Sequence, residues 1–183
     1  MKVHGNGQAA ILSPEKLKLL FTEGFECQRD RVLFGVCFYT ACRISEALHL
    51  QRDDVSDTHI LFRKSITKGR IVARQLQIVP PLALILADYE FRGEYLFPGR
   101  PGICQPLCRN TADRRLKEAC NKLGFKGVST HSFRRTALTT MSNSGIPLRT
   151  IQKISGHRSL EELERYLEVS DEQIYSAALT LVF

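Results

Sequence analysis

Three short segments, far apart in the chain, combine arginine, histidine and tyrosine in ways that core packing does not require. They are Ala41-Cys42-Arg43-Ile44-Ser45-Glu46-Ala47-Leu48, Thr130-His131-Ser132-Phe133-Arg134-Arg135, and Ser155-Gly156-His157 with Tyr166 nine positions later. His131 and Arg134 are three apart, so on a helix beginning near Thr130 both project from one face, beside a helix N-terminus whose free amides favour an anion. Arg43 stands at a helix start after a buried segment, and its planar, always-charged fork suits two non-bridging phosphate oxygens. A second arginine from another segment would complete a clamp on a phosphate group. Taken singly, each feature has an ordinary explanation: a surface ion pair for one arginine, a structural pair for one His-x-x-Arg. Tyr166, taken singly, reads as a packing residue of an amphipathic helix with Leu160, Leu163 and Leu167.

The ordered set resembles the catalytic domain of the tyrosine recombinases, the phage integrase family, which runs Arg, Lys, His-x-x-Arg, His, Tyr. The match begins with Arg43 in Arg-Ile-Ser-Glu-Ala-Leu, continues through His131-Ser-Phe-Arg134 and Gly156-His157, and ends with Glu164-Arg165-Tyr166-Leu167, spanning roughly residues 13–170. Lys68, in Thr67-Lys68-Gly69-Arg70, matches the family's β-hairpin lysine, with Lys64 as its nearby competitor. Three departures are modest: Ala41 stands two before Arg43 where glycine is common, Ser155 replaces the usual leucine before Gly-His, and Leu163 stands where threonine is frequent.

The resemblance implies a nucleophilic Tyr166 that attacks a DNA phosphodiester, forms a 3′-phosphotyrosyl bond and releases a 5′-hydroxyl. Arg43 and Arg134 would stabilise the charge that builds on the equatorial oxygens, so neither metal nor cofactor is expected. Lys68 would protonate the leaving 5′ oxygen, His131 would assist proton transfer at the tyrosine, and His157 would hydrogen-bond the scissile phosphate. Arg63, Lys64, Arg70, Arg74, Arg114, Arg115 and Lys117 are expected to contact the DNA backbone without reading sequence. The implied activity is site-specific recombination or integration. A topoisomerase of type IB, which relaxes without exchanging strands, and a catalytically silent DNA-binding module of the same fold are the alternatives.

Composition is compatible with such a domain. The chain has 183 residues, 43% hydrophobic and 25% charged, enough for one compact domain and crowded for two. Its longest uncharged apolar run, Val32 to Cys42, is too short to span a bilayer, which takes roughly 20 residues, and no secretory leader is evident. A cytoplasmic, nucleoid-associated location is expected. Six cysteines are too few for a disulfide scaffold, and Cys104 with Cys108 lacks the second close pair of a structural zinc site. Formal charge is +7, unevenly placed: Arg63 to Val79 holds five basic residues and no acid, whereas Glu161 to Glu172 holds six acids against Arg165. Such a basic middle suits a polyanion.

The elements that must position these residues are mostly helical. Ser13-Pro14-Glu15 reads as a helix start, and further helices are expected over 31–39, from Ser45, and over 82–89, 111–123, 131–143 and 148–155. His59-Ile60-Leu61-Phe62 and Gln75-Leu76-Gln77-Ile78-Val79 read as strands joined by a turn at 67–70, and Phe97 to Gly102 as an irregular loop. The expected fold class is α+β, mainly α-helical, a helical catalytic domain of tyrosine-recombinase type with a small antiparallel sheet. Residues 1–183 form a single catalytic domain on this reading, with a flexible segment at 1–12, a tail helix in 171–183 that docks in cis or in trans, and no N-terminal core-binding domain. The expected partner is double-stranded DNA, bound by a homotetramer that is monomeric or weakly associated when free, with no membrane.

Overall fold

The computed structural model describes residues 9–67, 69, 72–99, 104–167 and 171–181. Its helices are α1 (Pro14–Leu19), α2 (Gln28–Tyr39), α3 (Ile44–Leu48), α4 (Pro80–Ala87), α5 (Arg109–Lys122), α6 (Thr130–Asn143), α7 (Leu148–Ser155), α8 (Leu160–Glu164) and α9 (Asp171–Leu179). A π-helical turn, Leu20–Gly24, continues α1. Strands β1 (His59–Phe62) and β2 (Arg74–Gln77) pair antiparallel, with Ile60 opposite Leu76 and Phe62 opposite Arg74. Among the described residues no helix is long and apolar enough to cross a membrane.

Local chemistry accounts for the boundaries. Ser13 Oγ accepts from the Lys16 amide, and Pro14 occupies the first helical position of α1, where its missing N–H costs nothing. Helix α2 begins at Gln28, three residues before the expected Arg31, because Gln28 Oε1 accepts from Arg31 Nη1 while Gln28 Nε2 donates to the Ile85 carbonyl. Helix α8 ends earlier than expected. The Leu163 carbonyl accepts from both Arg165 and Tyr166 amides, so Tyr166 lies in a turn just past the helix.

Two cores hold the elements. In the larger, Phe25 stacks on Phe34 (5.0 Å between centroids) and Phe34 on Phe133 (4.9 Å), locking the π-turn, α2 and α6 together. The smaller core joins Ala41, Ala137, Leu138, Ile151 and Leu163, with Tyr166 and Leu167 packed against it. Residues 9–12, inside the stretch expected to be flexible, are tied down. Ala10 N donates to Gly127 O, Leu12 N to Thr136 Oγ1, Arg135 Nη1 to Ala9 O, and Leu12 is buried.

Candidate active site

Arg134 organises the site. It lies on α6 one turn after His131, and its side chain is 1% exposed. Nη1 donates to the carbonyls of Ala41 and of Ser155 (2.9 Å), so one guanidinium ties the loop before α3 to the end of α7. Ala41 has φ +48°, the left-handed region where glycine is at ease, which explains why glycine suits the position two before Arg43. Burial, and then the Arg43 charge, bring the Arg134 pKa down to about 10, and its Nε is buried without a hydrogen bond.

His157 follows Gly156, which closes α7 at φ +68°. Arg134 Nη2 lies 2.9 Å from His157 Nε2 and 3.3 Å from Nδ1. A guanidinium only donates and stays charged, so a proton on this ring is opposed. Burial first, then Arg134 and Arg43, push the His157 pKa down to about 3. Ser155 Oγ lies 2.7 Å from His157 Nδ1 and 2.7 Å from the Ile151 carbonyl. With one proton to give, the hydroxyl either accepts from Nδ1–H or donates to Nδ1, and so selects the tautomer that His157 presents. The Tyr166 ring stands beside it, 5.3 Å between centroids and tilted by 49°.

Arg43 precedes α3, and its partner is Glu46, a carboxylate 1% exposed. Glu46 Oε2 accepts from the Arg43 amide (3.0 Å), and Oε1 accepts from Arg43 Nη1 (3.2 Å). Arg74 of β2 donates from Nη2 to Glu46 Oε2 at 2.7 Å. Burial pushes the Glu46 carboxyl up, but the charge and hydrogen bond of Arg74 and the Arg43 amide pull it further down, leaving it below the ordinary value. Two guanidiniums thus bracket a single buried carboxylate, and the Arg134 charge acts on it as well, leaving a positive pocket suited to a phosphodiester. His131, exposed at the start of α6, is held below the usual imidazole range by desolvation of its ring and then by Arg109 and Arg134.

The structure therefore gathers Arg43, His131, Arg134, His157 and Tyr166 about one region. Lys68 and Arg70 lie outside the described residues. Of the expected backbone contacts, Lys64, Arg114, Arg115 and Lys117 are exposed. Arg63 is drawn to Asp54 at 2.8 Å, and Arg115 to Glu118 at 3.0 Å. Arg74 turns inward instead, with a side chain 9% exposed. A cleft of about 610 Å³ between β2 and α7 is lined by Arg74, Lys153, His157 and Arg158. A second cavity of about 340 Å³, around Asp30, Arg115 and Lys122, touches none of the catalytic set. Glu46, Arg109, Lys153 and Arg158 escaped the sequence reading. An acid three residues after Arg43, between Ser45 and Ala47 in a short helix, was the available signal for Glu46.

The phage integrase family model matches residues 14–173. The chain is 28% identical over 177 residues to tyrosine recombinase XerC of Staphylococcus carnosus, covering 87% of this chain and 57% of that protein. It is 30% identical over 161 residues to tyrosine recombinase XerD of Corynebacterium glutamicum, covering 80% of this chain and 50% of that one. It spans about half the length of these relatives. In fold it is similar to the XerA recombinase, with a TM-score of 0.77 at 22% identity, covering 93% of this chain and 64% of that one. The Tn1549 transposon integrase, in complex with transposon right end DNA, superposes with a TM-score of 0.79 at 14% identity, covering 95% and 66%. With the family pattern present across nearly all its length, this chain belongs to the phage integrase family, the tyrosine recombinases.

Proposed function

We propose that this chain cleaves and rejoins double-stranded DNA as the catalytic part of a site-specific recombinase. The observation that carries the reading is the convergence of Arg43, Arg134 and His157 beside the Tyr166 ring, 5.3 Å from His157, around a buried positive pocket. Tyr166 Oη attacks phosphorus as its proton departs, a P–O bond to Tyr166 forms, and the bond to the 5′ oxygen breaks. Lys68 supplies the proton that the 5′ oxygen takes up. Attack by a 5′-hydroxyl reverses the step and regenerates the tyrosine, so no external energy source is consumed. Arg43 and Arg134 donate to the equatorial oxygens, where charge is greatest in the transition state. His131, held largely neutral at pH 7, accepts the tyrosine proton. His157 Nε2 accepts from Arg134 Nη2 at 2.9 Å and so helps hold that guanidinium at the phosphate.

On this reading the protein acts on nucleoid DNA in the cytoplasm, and four copies assemble on DNA, with α9 of one copy docking on another. Ile174, Tyr175, Leu179 and Leu181 are all more than half exposed, which supports a tail free to dock. Incubation with negatively supercoiled plasmid followed by a detergent quench tests the chemistry. Relaxed plasmid with protease-sensitive attached protein is expected from the wild type, and neither from Tyr166→Phe. Adducts formed equally by both would overturn the reading.

A further inference from the structure

We propose that Arg74 is a positioning residue for Arg43, acting through Glu46; the proposal rests on the reading of this pocket as the phosphodiester site. Strand alternation turns Arg74 inward on the same face as Leu76, and its register opposite Phe62 sets the guanidinium carbon 4.2 Å over that ring. Nη2 is bonded to Glu46 Oε2 at 2.7 Å. Nη1 occupies the space above Gly156, where a Cβ would stand 2.8 Å from it. The guanidinium is thus held on three sides, and its Nε is buried without a hydrogen bond.

The consequence falls on Arg43. A carboxylate facing one arginine forms two parallel bonds with its fork and occupies the donors that a phosphate would need. Here Arg74 Nη2 and the Arg43 backbone amide share Oε2, and the Arg43 guanidinium meets only Oε1, through Nη1 at 3.2 Å. The remaining guanidinium donors of Arg43 stay off the carboxylate. Arg74 also offsets the charge of Glu46, so that Arg43 keeps an electrostatic pull on an anion. Gly156 belongs to the same device, because a side chain there would push Arg74 out of its seat.

The test compares wild type, Arg74→Ala, Arg74→Lys, Glu46→Gln and the double variant Arg74→Ala/Glu46→Gln. The rate of covalent adduct formation at saturating supercoiled plasmid is measured alongside the half-saturating plasmid concentration. Loss of positioning is expected to slow Arg74→Ala by about 10²-fold at saturation, the cost of a misplaced reacting group, with little change in half-saturation. The double variant regains most of that rate, because the carboxylate that captured Arg43 is gone. The Arg43 guanidinium Nε–H resonance, read by NMR in the free proteins, shifts in Arg74→Ala and returns toward wild type in the double variant. Arg74→Lys, which keeps the charge but has no fork, shows a smaller displacement and carries the test if Arg74→Ala does not fold.

A variant that only weakens plasmid binding, or a double variant no faster than Arg74→Ala, overturns the proposal, as does an unmoved Arg43 resonance. If the wild type forms no adduct, the strand-cleavage reading fails, while the NMR comparison still decides whether Arg74 positions Arg43.

Discussion

Arg134 exchanges water for two carbonyls and the face of a histidine, and that exchange joins three segments of the chain at one guanidinium. A lysine at this position keeps the charge but cannot span both carbonyls. Arg134→Lys is therefore expected to lose about 2–3 kcal/mol of stability in urea titration, the cost of buried acceptors left unpaired, and to lose adduct formation with it. His157 gives a pH signature. Its pKa is depressed to about 3 in the folded chain against an ordinary 6.5, so below pH 6.5 the unfolded state takes up a proton that the native ring refuses. Stability through this group is complete above pH 6.5 and falls progressively toward pH 3. The melting midpoint of the wild type should drop more steeply over that window than that of His157→Asn, and equal slopes would contradict the assignment. At this scale the motif residues were legible because their types are costly to place without a task. Glu46 was not, since its second partner, Arg74, is 28 residues away and nothing local links them.

The elements explain why the site holds its shape. Helices α2 and α6 carry the flanks of Arg43 and Arg134, and they are joined by the Phe25–Phe34–Phe133 stack rather than by polar contacts. Phe133→Ala is expected to cost about 3–5 kcal/mol in urea titration, the usual range for a deleted core aromatic, since the ring is fully buried. A loss below about 1 kcal/mol would mean that the stack does not hold the helices. Most helices and both strands follow from periodicity and turn residues in the sequence. The start of α2 was missed because side-chain bonds of Gln28, one to α4, replace the usual cap. The inward turn of Arg74 was readable from the alternation Arg-Gln-Leu-Gln, with Leu76 marking the buried face. Its charge directed the reading to the surface instead.

On the proposed reading, charge and the tail govern assembly at the level of the whole molecule. The formal charge of +7, with three arginines focused on one pocket, implies plasmid binding that weakens steeply between low and physiological salt. Helix α9 exposes its large apolar side chains, so removing the residues after Ser170 should move the melting midpoint by no more than about 2 °C, while abolishing multi-protein complexes on DNA in gel-shift experiments. A fall of more than about 5 °C would show that the tail packs on its own core. The proposed chemistry turns on one bond, between Tyr166 and phosphorus. The most direct measurement digests the quenched protein–DNA adduct and identifies the linked peptide by mass spectrometry, together with the chemistry of the freed DNA end. The expected product is a peptide joined through Tyr166 to a 3′-phosphate, with a free 5′-hydroxyl on the partner fragment. Attachment at any other residue, or through a 5′-phosphate, would contradict it.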